Sequence, residues 1–298
     1  MHKSGFVNIL GRPNAGKSTL MNALVGERMS IITSKPQTTR HRIIGILSGE
    51  DFQFVFSDTP GHIKDPNYGM QKAMNKFIYS SFDDADLILL VIDLKDKYEE
   101  EDAFIEVVKK QPVPKIIVLN KMDLMKEGEI EEAKTYWKER TGAEHVIAIS
   151  ALNSTNTDVL LSTITDILPE GPAYYPKDQL TDKPERFFVS EIIREKILEQ
   201  YKQEIPYSVE IGIESYKETK TNAGEDLIRI STLIYVDRKS QKPILIGHKG
   251  ERIKKLGTEA RKSIEAFLQT KVFLEMHIKV KDGWRDNDQL LKNFGYQD

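Results

Sequence analysis

The sequence contains no cysteine. Disulfide bonds and cysteine-ligated zinc or iron–sulfur sites are therefore excluded, and the composition fits a reducing compartment. Long apolar runs are also missing: the longest, residues 87–92, is too short to span a bilayer and predicts a buried strand. The six histidines are scattered without metal-ligand spacing. Because polar residues interrupt the first apolar run from position 11 onward, we expect no signal peptide.

Neither sign of charge dominates the chain. Its 43 Lys and Arg face 46 Asp and Glu, and 39% of its residues are hydrophobic, which is typical of a globular protein. At 298 residues it is long enough for two domains, and it has no internal repeat or low-complexity segment. We therefore predict a two-domain globular protein of the cytoplasm.

A glycine-rich segment directly follows the apolar run 6–10, with the pattern Gly, four residues, then Gly-Lys-Ser. The glycines let the backbone curl so that N–H groups point at phosphate oxygens, and a following helix N-terminus adds positive potential. Lys17 can reach the β- and γ-phosphates, and the Ser18 hydroxyl can ligate Mg²⁺. The segment thus predicts a nucleoside triphosphate site, whose candidate residues are Gly11, Arg12, Pro13, Asn14, Ala15, Gly16, Lys17, Ser18 and Thr19.

A second motif, Asp58-Thr59-Pro60-Gly61, ends an alternating, aromatic-rich run at residues 52–57. An Asp at the end of a strand beside the phosphate loop suits Mg²⁺ coordination through water. The Gly61 N–H can contact a γ-phosphate and sense its loss.

The base is predicted from a third motif after the apolar run 115–119. The Asp123 carboxylate can accept hydrogen bonds from the N1–H and 2-amino groups of guanine, a donor pair that adenine does not offer. The Lys121 stem can lie along the base, and Asn120 can tie this loop to the phosphate loop. Backbone N–H groups of a further turn could reach guanine O6, and they belong to Ser150, Ala151 and Leu152. We therefore predict GTP or GDP with Mg²⁺.

The polar segment 34–40 lies between the first two motifs and before a strand-like run. A threonine hydroxyl here could complete the Mg²⁺ shell while its N–H contacts the γ-phosphate, so that the loop is ordered only with GTP. An ordinary surface loop is the alternative. The pattern does not choose between Thr38 and Thr39.

The alternation of strand-like and helical patterns predicts an α/β fold, with a mostly parallel sheet and helices on both faces. Only four residues separate the runs 43–47 and 52–56, which are therefore predicted to be antiparallel neighbours in a mixed sheet. A proline-rich stretch follows. We predict a nucleotide domain at 1–170, an extended linker at 171–185 and a second domain at 186–298.

The second half begins with a predicted strongly amphipathic helix at 187–197, followed by strands at 208–216 and 227–236 and a last strand at 272–280. Between them, Gly-x-x-Gly separates two helical segments, as in KH modules that clamp a nucleic-acid backbone. A plain helix–helix turn would give the same four residues.

Positive charge concentrates in this half, because residues 242–285 hold eleven Lys or Arg and five Asp or Glu. Such a surplus predicts a nucleic-acid site, although a solvated helix face with pairs such as Glu251 and Lys255 is the alternative. Trp284, among cations, could stack on an unpaired base or pack against a terminal helix. The candidate RNA-binding residues are Ile246, Gly247, His248, Lys249, Gly250, Arg252, Lys254, Lys279, Lys281 and Trp284.

Over its whole length the chain resembles the Era family of bacterial GTPases. The residues that carry the resemblance are the segments 37–42, 58–61, 190–196, 247–250 and 279–284. It implies a P-loop GTPase domain followed by a type II KH domain. It also implies binding to the 3′ end of 16S ribosomal RNA, maturation of the small ribosomal subunit and peripheral contact with the inner membrane. No DNA partner is expected.

Era-like proteins usually follow Asp-Thr-Pro-Gly with an apolar residue and then His, whereas this chain has His62 and then Ile63. This reversal leaves open what orients the attacking water. The candidate catalytic residues are Lys17, Thr38, Thr39, Gly61 and His62. Since no arginine finger is evident in the chain, we expect slow intrinsic GTP hydrolysis.

Two alternatives are an RNA chaperone with a catalytically weak nucleotide domain and a GTP-dependent metabolic enzyme. The intact Lys17, Ser18, Asp58 and Asp123 argue against the first, and the basic second half argues against the second.

Overall fold

The computed structural model describes residues 2–297 and divides into two compact units. The first comprises the residues up to Asn67 together with Gln71–Asp182. The second comprises Tyr68–Met70 and the residues from Lys183 onward.

Strands and helices alternate along the first unit. Its strands are β1 (Lys3–Gly11), β2 (Ile43–Ser48), β3 (Phe52–Asp58), β4 (Leu87–Asp93), β5 (Lys115–Asn120) and β6 (His145–Ala148). Its helices are α1 (Lys17–Val25), α2 (Gly69–Ser80), α3 (Ala103–Lys109), α4 (Glu127–Thr141) and α5 (Thr157–Ile167), with a 3₁₀ turn at Met122–Leu124. The first two residues of α2 are counted with the second unit.

These strands form one sheet in the order β2-β3-β1-β4-β5-β6. Only β2 is antiparallel to its neighbour, running from Ile43 opposite Asp58 to Ser48 opposite Gln53, which confirms the predicted mixed sheet. β4 is nearly inaccessible because both of its faces are covered, and a core cluster joins β4 and β5 to α3 and α4. The parallel β1, β3 and β5 all end at one edge of the sheet, where the nucleotide motifs follow them.

The stretch predicted as an extended linker instead docks, over residues 170–180, on the sheet of the first unit. The Ile46 N–H on the edge strand β2 donates to Leu180 O at 2.8 Å. The Gln53 side chain is 0% exposed; its Oε1 accepts from the N–H groups of Tyr174 and Tyr175, and its Nε2 donates to Tyr175 O. We call residues 170–180 the strap. The proline-rich composition of this stretch did not predict that it docks, since its partners Ile46 and Gln53 lie over a hundred residues away in the sequence.

The second unit contains α6 (Glu185–Gln200), β7 (Val209–Lys220), β8 (Asp226–Val236), α7 (Gln241–Ile246), α8 (Glu251–Leu268), β9 (Lys271–Val280) and α9 (Asp288–Asn293). Three 3₁₀ turns lie at Ile205–Tyr207, His248–Gly250 and Trp284–Asp286. The sheet has the order β7-β8-β9, with β7 antiparallel and β9 parallel to β8.

The prediction of a strongly amphipathic first helix is wrong for α6. Its buried residues lie on most of its faces and include the charged Glu191, Arg194 and Glu195. Arg194 Nε donates to Glu191 Oε1 at 2.8 Å, so these two buried charges are paired with each other on the same helix. No helix within residues 2–297 combines the length and the apolar character needed to cross a bilayer.

Candidate functional site

The phosphate loop between β1 and α1 takes backbone conformations that favour glycine. Gly16 has φ +94°, and a Cβ there would lie 2.1 Å from Asn120 Nδ2, so no other residue fits. Lys17 is buried and donates from Nζ to Gly11 O at 3.2 Å and Arg12 O at 2.9 Å. Burial lowers the pKa of Lys17 to about 8, although Asp58 raises it.

Three oxygen-bearing side chains from three separate motifs meet beside this loop. Ser18 Oγ lies 2.8 Å from Thr39 Oγ1 and donates to Asp58 Oδ2 at 2.7 Å. Thr39 Oγ1 donates to the same carboxylate oxygen at 3.3 Å. The Thr38 hydroxyl instead donates to Lys35 O at 2.6 Å. The structure therefore brings Thr39, not Thr38, to Ser18 and Asp58.

This set has the chemistry of a magnesium site. Asp58 is 0% exposed, and within residues 2–297 its Oδ1 has no hydrogen-bond partner. Burial raises the pKa of Asp58, while Lys17 and the hydroxyls lower it. A buried carboxylate oxygen without a partner is costly unless a cation balances it, and hydroxyl and carboxylate oxygens are ligands that Mg²⁺ prefers. No group of three His, Cys, Asp or Glu side chains in this part of the chain offers another metal site.

Asn120 links the base-recognition loop to the phosphate loop. Its Nδ2 donates to Ala15 O at 2.8 Å, and its Oδ1 accepts from Ala151 N at 3.0 Å. The Ala151 N–H, predicted as a donor to guanine O6, is therefore already used. Lys121 Nζ donates to Asn14 O at 3.0 Å, and Asp123 is exposed in the 3₁₀ turn that follows β5.

A cavity of about 600 Å³ opens at these motifs, a volume typical of small-molecule sites. It is lined by Pro13, Asn14, Gly16, Lys17, Ser18, Thr19, Ile31, Ile32, Thr33, Ser34, Gln37, Thr38, Thr39, Gly61, Asn120, Lys121, Asp123, Leu124 and Leu152. The sequence did not predict Ile31, Ile32, Thr33 or Leu124, whereas Ser34 and Gln37 lie in the segment 34–40 that was predicted to contact the nucleotide, although neither was singled out. Two adjacent isoleucines before a polar loop were the available signal.

Several residues predicted to bind the nucleotide do not line this cavity, namely Gly11, Arg12, Ala15, Asp58, Ser150 and Ala151, and neither does the candidate catalytic residue His62. The Arg12 side chain points to Asp96 and Asp102, and only its carbonyl contacts Lys17. The His62 ring stacks on Phe104 of α3 with centroids 4.4 Å apart and an interplanar angle of 9°. Burial lowers the pKa of His62, against a raising effect of Asp102. In this conformation His62 does not face the phosphate site.

In the second unit, the predicted Gly-x-x-Gly loop joins α7 to α8. Gly247, Lys249 and Gly250 have positive φ, and a Cβ on Gly247 would lie 2.6 Å from the Arg252 side chain. His248 and Lys249 are exposed, as are Arg252, Lys254 and Lys279, while Ile246 and Lys281 are half-buried. The loop thus carries a bare backbone beside solvent-facing cations.

The prediction that Trp284 stacks on RNA is contradicted. Its side chain is 0% exposed, and its indole N–H donates to Ser208 O at 3.0 Å. The ring packs edge-on against Phe294, with centroids 5.5 Å apart. Trp284 is a core residue of the second unit, the alternative that the sequence had left open.

Comparison with known proteins agrees with this geometry. A family model described as a 50S ribosome-binding GTPase matches residues 6–121, and a KH domain model matches residues 204–285. GTPase Era of Clostridium kluyveri is 44% identical over 298 residues, covering 100% of both chains. The chain belongs to the Era family. It is thus a GTPase with a C-terminal KH domain.

Other Era relatives extend the comparison. A chloroplastic GTPase ERA-like protein of Oryza sativa subsp. japonica is 46% identical over 298 residues, which span 99% of this chain and 70% of the relative. The crystal structure of Era in complex with MgGDPNP and nucleotides 1506–1542 of 16S ribosomal RNA superposes with a TM-score of 0.94 at 35% identity, covering 99% of both chains. A variant of Aquifex aeolicus Era bound to GDP and AlF₄⁻ gives 0.92 at 36% identity, again over 99% of both.

Proposed function

We propose that this chain is an RNA-binding molecular switch that binds GTP with Mg²⁺ and hydrolyses it slowly to GDP and phosphate. The observation that carries the proposal is the meeting of Ser18, Thr39 and Asp58, with one buried carboxylate oxygen left for a cation. Structures of Era with MgGDPNP and with GDP and AlF₄⁻ support the choice of nucleotide and metal.

The residues of the site act on the metal ion and on the phosphates in different ways. Ser18, Thr39 and Asp58 hold Mg²⁺, directly or through water, and the bound ion neutralises charge on the β- and γ-phosphate oxygens. Lys17 turns its ammonium from the Gly11 and Arg12 carbonyls to the phosphates. The Gly61 N–H meets the γ-phosphate, while Thr39 ties its loop to the site. Hydrolysis removes the group that both contact and releases the loop.

Hydrolysis here relies on positioning and charge rather than on a side-chain base. His62 does not line the cavity, and its ring is held against Phe104. His62 therefore takes part in no proton transfer, in line with the slow turnover expected from the sequence.

For RNA, we propose that the KH domain binds the 3′ end of 16S ribosomal RNA and that the chain assists maturation of the small ribosomal subunit. The Era structure with nucleotides 1506–1542 supports this partner. Backbone N–H groups of the Gly247–Gly250 loop approach phosphates, with Lys249 supplying a cation. We propose the domain boundaries predicted from the sequence, with the GTPase domain beginning at residue 1 and the KH domain at residue 186. The strap, residues 170–180, is counted with the GTPase domain rather than with the linker. A cytoplasmic location and peripheral contact with the inner membrane stay predictions. Flotation with lipid vesicles tests the membrane contact.

One experiment on the full chain tests both activities. We measure phosphate release from GTP with Mg²⁺ and the affinity for single-stranded RNA from the 3′ end of 16S ribosomal RNA. Lys17→Ala should abolish hydrolysis and spare RNA binding. The double variant His248→Asp, Lys249→Asp should bind GTP normally and lose most RNA affinity, with a shallower dependence of the remainder on salt.

The control makes the same charge change on α4, as Thr135→Asp, Lys138→Asp, where both side chains are exposed. It should leave RNA affinity unchanged. RNA binding that survives the loop variant would remove the KH loop as the functional site. RNA binding without any GTP hydrolysis by the unmodified chain would favour the RNA chaperone.

A further inference from the structure

One carboxylate, that of Asp102, connects the phosphate loop to α3. Its Oδ1 caps the helix by accepting from Phe104 N at 3.0 Å and Ile105 N at 3.2 Å. Its Oδ2 accepts from Arg12 Nη2 at 2.5 Å. Although burial favours the neutral acid, Arg12 and the helix N–H groups lower the pKa of Asp102, so the group is ionised at neutral pH. The two oxygens thus serve two different elements.

Arg12 is held from several sides. Its Nη1 donates to Lys97 O at 2.8 Å and to Asp96 at 3.2 Å, and its guanidinium lies 4.1 Å from the centre of the Tyr98 ring. Because these contacts leave the Arg12 side chain little rotamer freedom, it holds the phosphate loop at a fixed distance from Asp102.

The same helix also holds the segment after Gly61. The His62 ring stacks on Phe104, two residues after Asp102, and His62 N donates to Gly11 O at 3.3 Å. A Cβ on Gly61 would lie 2.5 Å from Pro13 N, so the backbone of Gly61 rests on the phosphate loop. Phosphate loop, α3 and the Gly61 segment therefore form a closed ring of contacts.

We propose that Asp102 is a positioning residue for GTP hydrolysis, which holds the phosphate loop through Arg12 and the Gly61 segment through α3. The inference rests on the proposed function above. Asp102 does not line the nucleotide cavity, so it acts only through its neighbours. Removing the link lets Gly61 shift relative to the phosphate loop, and shifts of an ångström in a reacting geometry reduce rates by up to about a hundredfold.

The test variant is Asp102→Asn in the full chain. Asparagine caps a helix as well as aspartate does, since its Oδ1 still accepts from the two N–H groups. Its amide, however, meets the Arg12 guanidinium donor to donor. We expect kcat for GTP hydrolysis to fall about 5- to 50-fold, while KM and the melting temperature change little.

Three further variants separate loss of the Arg12–Asp102 link from other effects of the substitution. Adding Arg12→Gln to Asp102→Asn should recover part of kcat, because the glutamine carbonyl can accept from the asparagine amide. Glu131→Gln, which breaks the exposed pair with Lys134, is the matched control and should leave kcat unchanged. Should Asp102→Asn fold poorly, Arg12→Met alone breaks the link without touching the cap, since methionine has no donor for Asp102 Oδ2, and it should lower kcat similarly.

Coupling to the Gly61 segment is measured with His62→Ala. Alone it should lower kcat less than tenfold, about 1.4 kcal/mol of barrier. Combined with Asp102→Asn it should cost less than the product of the single effects, since both break one ring of contacts. Unchanged kcat in both Asp102→Asn and Arg12→Met, or independent effects of His62→Ala and Asp102→Asn, would overturn the inference alone. A wild-type chain that hydrolyses no GTP would overturn the proposed function and the inference with it.

Discussion

Asn120 offers the sharpest test of how the nucleotide site is assembled. The side chain is 3% exposed and bridges two motifs, donating to Ala15 O at 2.8 Å and accepting from Ala151 N at 3.0 Å. Asn120→Asp keeps its size and the second bond. It replaces the donor to Ala15 with an oxygen, so two acceptors face each other in a buried place.

The expected loss follows from that contact. A buried carbonyl without its donor costs about 1–3 kcal/mol, which corresponds to about 5- to 150-fold weaker GTP binding if the bound state bears it. Because burial and the facing carbonyl raise the pKa of the new Asp, its neutral form gains population as pH falls. That form carries an O–H that donates to Ala15, so affinity should recover toward pH 5.5.

The assay is equilibrium binding of a fluorescent GTP analogue to the unmodified chain and the variant, from pH 5.5 to 8, with melting temperatures measured alongside. Asn156→Asp is the control, since the Asn156 amide donates to Ala148 O at 2.8 Å outside the cavity. It should lower the melting temperature without changing the Kd. Binding by Asn120→Asp within twofold of the unmodified chain at every pH would refute the reasoning.

Three further predictions concern the base, the phosphate-binding lysine and the core. Asp123→Asn should weaken GTP binding and improve that of xanthosine triphosphate, which presents an acceptor at C2; a competition assay that still favours GTP would contradict it. Burial lowers the pKa of Lys17 from 10.5 to about 8 in the folded chain, so between pH 8 and pH 10.5 the unfolded chain binds more protons than the folded chain. The free energy of unfolding of the nucleotide-free protein should therefore rise with pH over this range. Lys17→Met should lose that rise in melting curves. Trp284→Ala should cost about 3–5 kcal/mol in urea unfolding of the second domain, whereas RNA affinity of the folded protein stays within threefold.

The nucleotide motifs were predictable from the sequence because each depends on local pattern and on one rule of topology. Parallel strands end at a common edge, so residues that follow β1, β3 and β5 had to meet. The mixed sheet was predictable for the same reason, since a four-residue connection permits only an antiparallel pair.

Residues whose role depends on distant partners were not predictable. Thr38 and Thr39 are adjacent in an irregular loop, and only its backbone course decides which hydroxyl reaches Asp58. Arg12 and His62 point away from the phosphates because of partners about 40 to 90 residues away. Trp284 is buried by residues that follow it, including Phe294, which no periodic pattern connects to it.

The strap has a consequence for how the chain is made and cut. Until residues 174–180 have left the ribosome, the edge strand β2 lacks its cover at Ile46, and the Gln53 amide lacks its partners in the strap. An uncovered edge is a site for pairing with other nascent chains. The GTPase domain therefore completes its fold only after the strap has left the ribosome. Proteolytic or recombinant fragments that end near residue 170 should aggregate, and those that end after Asp182 should stay monomeric.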